Sequence, residues 1–255
     1  MMKSQTMMNR FAQSLVLIFV LSMSGHVVAA GDEHIKLDKA PINLNNNESL
    51  QRGARLFVNY CLNCHSANYM RYNRLTDIGL SEEQIKDNLL FAAEKVGETM
   101  KVAMPKAEAK EWFGVVPPDL TVEARARTAD WLYTYLRGFY RDDTRPTGWN
   151  NVAFSNVGMP HILWELQGQQ KLKVEEHVDA KGVKTETHRL VLDKPGTMSP
   201  AEFDGAMADL VNYLVFMSEP AQIQRKKLGV IVLLFLGLMF VVAYYLKKEF
   251  WKDIH

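Results

Sequence analysis

Apolar positions fall along this chain in distinct patterns, and the plainest lies near the C-terminus. Leu228 to Leu246 is a run of nineteen residues without a charge. At about 1.5 Å of helical rise each it reaches roughly 28 Å, close to the ~30 Å hydrocarbon core of a bilayer. Arg225-Lys226-Lys227 and Lys247-Lys248 flank it, and Tyr244, Tyr245 and Trp251 stand at interface depth. A helix buried in a soluble core needs no such all-round apolarity, so a single transmembrane helix is expected over 228–246. A shorter run, Leu15 to Leu21, follows the sparse bases Lys3 and Arg10 and gives way to small residues ending at Val28-Ala29-Ala30. Seven apolar residues are too few to span, so 1–30 reads as a cleaved secretory signal rather than a retained anchor. Counting Lys252, the bases flanking the C-terminal run balance three against three. The signal, not the positive-inside rule, therefore sets the expected order: an exported domain over 31–220, a joint at 221–227, the span, and a cytoplasmic tail at 247–255.

Within the exported region the patterns are helical. Asn46 or Asn47 caps a helix running to about Cys61, with Leu50, Leu56, Phe57 and Tyr60 apolar. Gly53 is costly in its interior, which a close helix crossing explains. Ser81 and Gln84 form a capping box before Ile85, Leu89 and Leu90. A longer helix is expected from Val122 toward Phe139, with Trp131, Leu132, Tyr135 and Leu136 at three- and four-residue spacings. Ser199, Pro200 and Glu202 open the last soluble helix, whose Phe203, Met207, Leu210, Val211 and Leu214 make one face. That face is the expected partner of the helix carrying Gly53. Between these elements lie an extended lead-in (31–47), a polar-aromatic loop at 69–74, a proline-broken stretch from Gly97 to Leu120, and a long loop over 140–161. Period-two alternation over 170–192, turning at Asp179–Gly182, predicts a β-hairpin. The class is mainly α, with long loops, a small hairpin insertion and one membrane helix.

Charge sharpens the division. The whole chain carries +1, but residues 31–224 hold 22 Lys or Arg against 27 Asp or Glu. An acidic exported domain does not fit nucleic acid; it suits a basic protein partner. The chemistry sits at Cys61-Leu62-Asn63-Cys64-His65, which contains the only two cysteines. A CxxCH is the attachment signature of a c-type haem: the thiols add to its vinyl groups as thioethers and His65 supplies an axial imidazole. The same pair as a thioredoxin-like site lacks the preceding strand, and as a zinc site lacks two further ligands. His177 and His188, on the predicted hairpin, read as surface groups rather than a metal pair.

A second axial ligand can be methionine, histidine or absent, and a thioether raises the potential relative to imidazole. Met70 lies too near the attachment site, Met198 directly precedes a cap, and Met207 and Met217 belong to an apolar helix face. Met100, Met104 and Met159 remain, in loops. Met159, held between Gly158 and Pro160, is favoured, and His161 is its nitrogen rival.

Several stretches in order resemble the cytochrome c1 family, the haem subunits of cytochrome bc1 complexes, in its proteobacterial form. They are the single CxxCH followed by Tyr69-Met70-Arg71-Tyr72-Asn73-Arg74-Leu75, then Val116-Pro117-Pro118-Asp119-Leu120 with Arg125-Ala126-Arg127, then Asn156-Val157-Gly158-Met159-Pro160, and the single anchor. The resemblance implies a c-type cytochrome fold with one covalent haem c. It implies Met159 as the distal ligand and Pro118 as the residue whose carbonyl receives the His65 ring N–H. It also implies Arg127 at a haem propionate, with Arg125 as the alternative. Some family members carry a further disulfide, for which this chain has no cysteines, and the 170–192 segment varies among them.

The function implied is one-electron transfer, with no bond-making chemistry by the chain alone. Electrons come from a Rieske iron–sulfur protein and pass to a cytochrome c, with cytochrome b as membrane partner, in a dimeric complex of the inner membrane with the haem domain periplasmic. The rival readings are a stand-alone anchored cytochrome, a haem sensor lacking the distal ligand, and a thiol-redox protein.

Overall fold

The computed structural model describes residues 36–102, 104–178 and 184–252, with side chains in those ranges except from 176 to 188. The expected signal and the hairpin's turn lie outside them. Asn46 accepts the Ser49 N–H at 3.1 Å and starts α1 (Asn47–Leu56), which runs on through a π-helical turn (Phe57–Cys61). The 69–74 segment, expected as loop, is instead β1 (Ala67–Arg71) and a 3-10 turn (Tyr72–Ile78). Met70 and Tyr72 are buried there, anchoring it to the core. The predicted capping box opens α2 (Glu82–Asn88), and β2 (Thr99–Met100) pairs with β1.

Lys106–Phe113 forms α3, in a stretch expected to be non-helical. Only Ala109 of it is buried, so no apolar stripe announced it. The single helix expected from Val122 is two, α4 (Glu123–Arg127) and α5 (Ala129–Arg137), because Thr128 stands at φ 78°. Phe139 leaves the helix for β3 (Phe139–Arg141), which pairs with β4 (Trp149–Asn151) inside the expected long loop. A single turn, α6 (Trp164–Gln167), precedes the hairpin β5 (Gly168–Val178) and β6 (Lys184–Pro195), longer than predicted. Register places His177 opposite Thr185 and His188 opposite Val174, so the histidines are not partners. Then come α7 (Pro200–Ser218), with Ser199 and Glu202 closing its capping box, and α8 (Gln222–Phe250). Residues 222–227, expected as a joint, are already helical. α8 is long and apolar enough to cross a membrane, and none of its described residues is buried.

The core is the crossing of α1 and α7. A Cβ on Gly53 would run into the Asp209 carbonyl and come within 2.7 Å of Tyr213 Cβ, so glycine lets the two backbones touch. Leu50, Ala54, Phe57, Met207, Leu210, Val211 and Tyr213 fill the contact, each worth roughly 1.5–3 kcal/mol where large and apolar. Asn212, buried in α7, has its polar groups satisfied by Asn43 and Ser49, strapping the lead-in across the crossing. Arg137 ties the same lead-in to α7 through Asp38 at 2.7 Å and Asp204 at 2.5 Å. A second, smaller cluster holds Phe139, Trp149 and Val157, with Tyr135 and Met159 against it.

Candidate functional site

The π-helical turn delivers the cysteine motif. The amides of Cys64 and His65 both donate to the Cys61 carbonyl, at 3.1 and 2.8 Å, curling the chain so that His65 follows directly beneath the turn. Cys61 is buried, Cys64 is half-buried, and both thiols are free of a disulfide. Burial pushes the Cys61 thiol up to about 12, and raises that of Cys64 as well.

His65 is 8% exposed, and its Nδ1 lies 2.8 Å from the Pro118 carbonyl oxygen. A carbonyl only accepts, so Nδ1 carries the hydrogen and Nε2 keeps its lone pair. Burial lowers the imidazole's affinity for a second proton, while the Pro118 contact and the acids Glu123 and Asp119 act in the opposite sense. Pro118 is held against the motif by its neighbours. Leu120 N–H donates to the Ser66 carbonyl at 2.9 Å, and Asp119 accepts from the Asn68 and Thr121 amides at 2.8 and 2.9 Å.

Met159 belongs to the smaller cluster, where the Tyr135 hydroxyl donates to its sulfur at 3.4 Å. Its loop is pinned on both sides. The Asn156 amide donates to Asn150 Oδ1 and Arg145 donates to Asn156 Oδ1, each at 2.9 Å. A Cβ on Gly158 would sit 3.0 Å from Val115, so the segment after α3 presses directly on this loop. His161 is 2% exposed, stacked parallel to Phe139 at 4.8 Å and edge-on to Trp149 at 5.0 Å. Neither of its ring nitrogens has a hydrogen bond. Burial pushes it down to about 4, offset only in part by the Gln167 side chain. Of the other methionines weighed, Met100 is in the main core, accepting from Tyr213 at 3.7 Å, and Met70, Met207 and Met217 are core residues too.

The two arginines separate. Arg127 bonds Glu123 at 3.1 Å and lies 4.6 Å above the Trp131 ring and 5.4 Å from that of Phe154. Arg125 acts at a distance on Glu219, at the foot of α8. Large apolar side chains stand uncovered on the segments joining His65 to Met159: Trp112 is 60% exposed and Phe154 43%, with Val115 and Val116 between. Two thiols beside an imidazole with a free lone pair fit a covalently held macrocycle, while the Met159 thioether and the Arg127 guanidinium are joined to each other through Tyr135 and Trp131. Sequence reasoning gave Trp131 and Tyr135 helical spacing and no role at the site; in the structure they stack on each other and the Tyr135 hydroxyl reaches Met159. The signal was the four-residue repeat from Arg127.

A family model described as the Cytochrome C1 family matches residues 38–254. Cytochrome c1 of Allochromatium vinosum is 48% identical over 242 residues, covering 94% of this chain and 98% of its own. A Nitrosomonas europaea protein named ammonia monooxygenase gamma subunit is 51% identical over 239 residues, covering 94% and 97%. Mitochondrial cytochrome c1 of Saccharomyces cerevisiae is 21% identical over 233 residues, covering 84% of this chain and 70% of its own.

Proposed function

We propose, from the premise that this chain belongs to the cytochrome C1 family, that it relays single electrons from a Rieske iron–sulfur protein to a cytochrome c within a cytochrome bc1 complex. Family membership makes it a haem electron-transfer subunit carrying covalent haem c, and the haem when bound supplies a one-electron iron couple. In our reading Cys61 and Cys64 hold the thioethers, His65 and Met159 are the axial ligands, and Arg127 rather than Arg125 neutralises a propionate. α8 anchors the chain beside cytochrome b in the inner membrane, with the domain on the periplasmic side and the complex dimeric.

One observation carries this reading most of the way: the 2.8 Å contact of His65 Nδ1 with the Pro118 carbonyl. It fixes the tautomer and leaves the Nε2 lone pair free for a metal, a common arrangement for metal-bound histidine. The thioether of Met159 is a soft, uncharged donor that favours the reduced state. Arg127 offers a planar fork suited to a carboxylate, and its bond to Glu123 is exposed and exchangeable.

The test is purification from membranes in mild detergent, with a visible spectrum and identification of companion subunits. A c-type α-band with co-purifying cytochrome b and Rieske protein is expected. Isolation alone, or with oxygenase subunits as the Nitrosomonas relative's name implies for that protein, rejects the assignment. In Met159→Ala the sulfur-to-iron charge-transfer feature is lost and the potential falls. A feature that survives unchanged excludes Met159 as ligand.

A further inference from the structure

A single stack of side chains connects Arg127 to Met159. Arg127, Trp131 and Tyr135 recur every four residues, although one helix ends and another begins between the first two. Thr128 makes this possible: its backbone turns at φ 78°, and its hydroxyl accepts the Trp131 amide at 3.3 Å, restarting the helix at once. The guanidinium caps Trp131 at 4.6 Å. Trp131 lies parallel to Tyr135, centroids 4.8 Å apart and planes within 11°. Phe139 meets the tyrosine ring edge-on at 5.1 Å. The Tyr135 carbonyl accepts from Asn151 Nδ2 at 2.7 Å, so β4, which begins the methionine loop, and the tyrosine share one mount. A ring held on its face, its edge and its backbone aims its hydroxyl at one place, the sulfur 3.4 Å away.

Resting on the reading of Met159 as ligand, we infer that Tyr135 is a positioning residue for the axial sulfur, with Trp131 as its brace. A thioether sulfur has two lone pairs and is a weak acceptor. The hydroxyl occupies one of them, which fixes the configuration in which the other is offered to iron. Unrestrained, the sulfur can rotate and offer either. The same hydrogen bond draws density from the sulfur, weakening it as a donor to the oxidised iron more than to the reduced iron, and so raises the potential.

The experiment uses the full-length haem-loaded protein in detergent with its companion subunits. Tyr135→Phe keeps the ring stack and removes only the hydroxyl. Its thioether-bound haem and charge-transfer feature remain. Its reduction equilibrium falls about threefold, roughly 30 mV at about 59 mV per decade for one electron. Circular dichroism of the charge-transfer feature, which reads the sulfur's configuration, weakens or changes sign. Trp131→Leu moves both readouts the same way by less, and Trp131→Phe restores them. A potential and dichroism unchanged in Tyr135→Phe and Trp131→Leu, or a potential that rises, overturns the inference. If Met159→Ala meanwhile loses the feature, the ligand assignment stands. A feature intact in Met159→Ala overturns both.

Discussion

Asp119 illustrates how much of the site depends on side chains that touch no cofactor. Its two oxygens hold the Asn68 and Thr121 amides, and its neighbour Pro118 supplies the acceptor for His65. Hydrogen bonds to a charged group contribute about 1.5–3 kcal/mol each, so Asp119→Ala is expected to cost at least ~2 kcal/mol in thermal or denaturant unfolding. It should also shift the haem potential; a potential equal to the parent's separates the two roles. Asp142 offers a pH test away from the iron. Bonds from Thr144 and Asn150, with Arg145 nearby, hold its carboxyl below the usual carboxylate range. A depressed folded pKa means its contribution is whole above the unfolded value of about 3.9 and vanishes as pH falls through the folded one. Asp142→Asn therefore lowers the melting temperature at neutral pH, and the gap to the parent closes in acid; a gap independent of pH contradicts this. Ser81 and Ser199 were legible singly because each belongs to a short capping pattern with one mechanism. Tyr135 was not, since an aromatic residue at helical spacing reads equally as core.

Among the elements, the α1–α7 crossing was foreseeable from a glycine placed where glycine is expensive. Gly53→Ala forces a methyl into the Asp209 backbone, and overpacking of this kind costs typically ~1–3 kcal/mol or more. Urea or thermal unfolding reads it, and a neutral result means the helices can slide apart. Elements with caps or long apolar faces were legible: α1, α2, α7 and the membrane helix. Those missed share a cause. α3 buries only Ala109, β1 and β2 are short and owe their pairing to residues far away, and the loop after β4 is fastened by the Asn150 and Asn151 side chains. The break at Thr128 has no local marker, because a threonine at positive φ is held there only by its surroundings.

For the molecule as a whole, the long apolar C-terminal helix was legible from its uncharged run, while the placing of the methionine loop was not. That loop joins a small cluster distinct from the main core that holds Cys61, and nothing in its own sequence marks which cluster it enters. α8 has no buried residue, and its base is tied to Glu219 by Arg225. A chain ending after Pro220 is expected to stay in solution without detergent and to keep the parent's visible spectrum; aggregation or loss of the spectrum shows that the helix supports the domain. Cys61 is packed among the side chains that close the α1–α7 core, so the attachment motif and the main helix crossing are one piece of structure. A change that loosens the crossing loosens the motif with it.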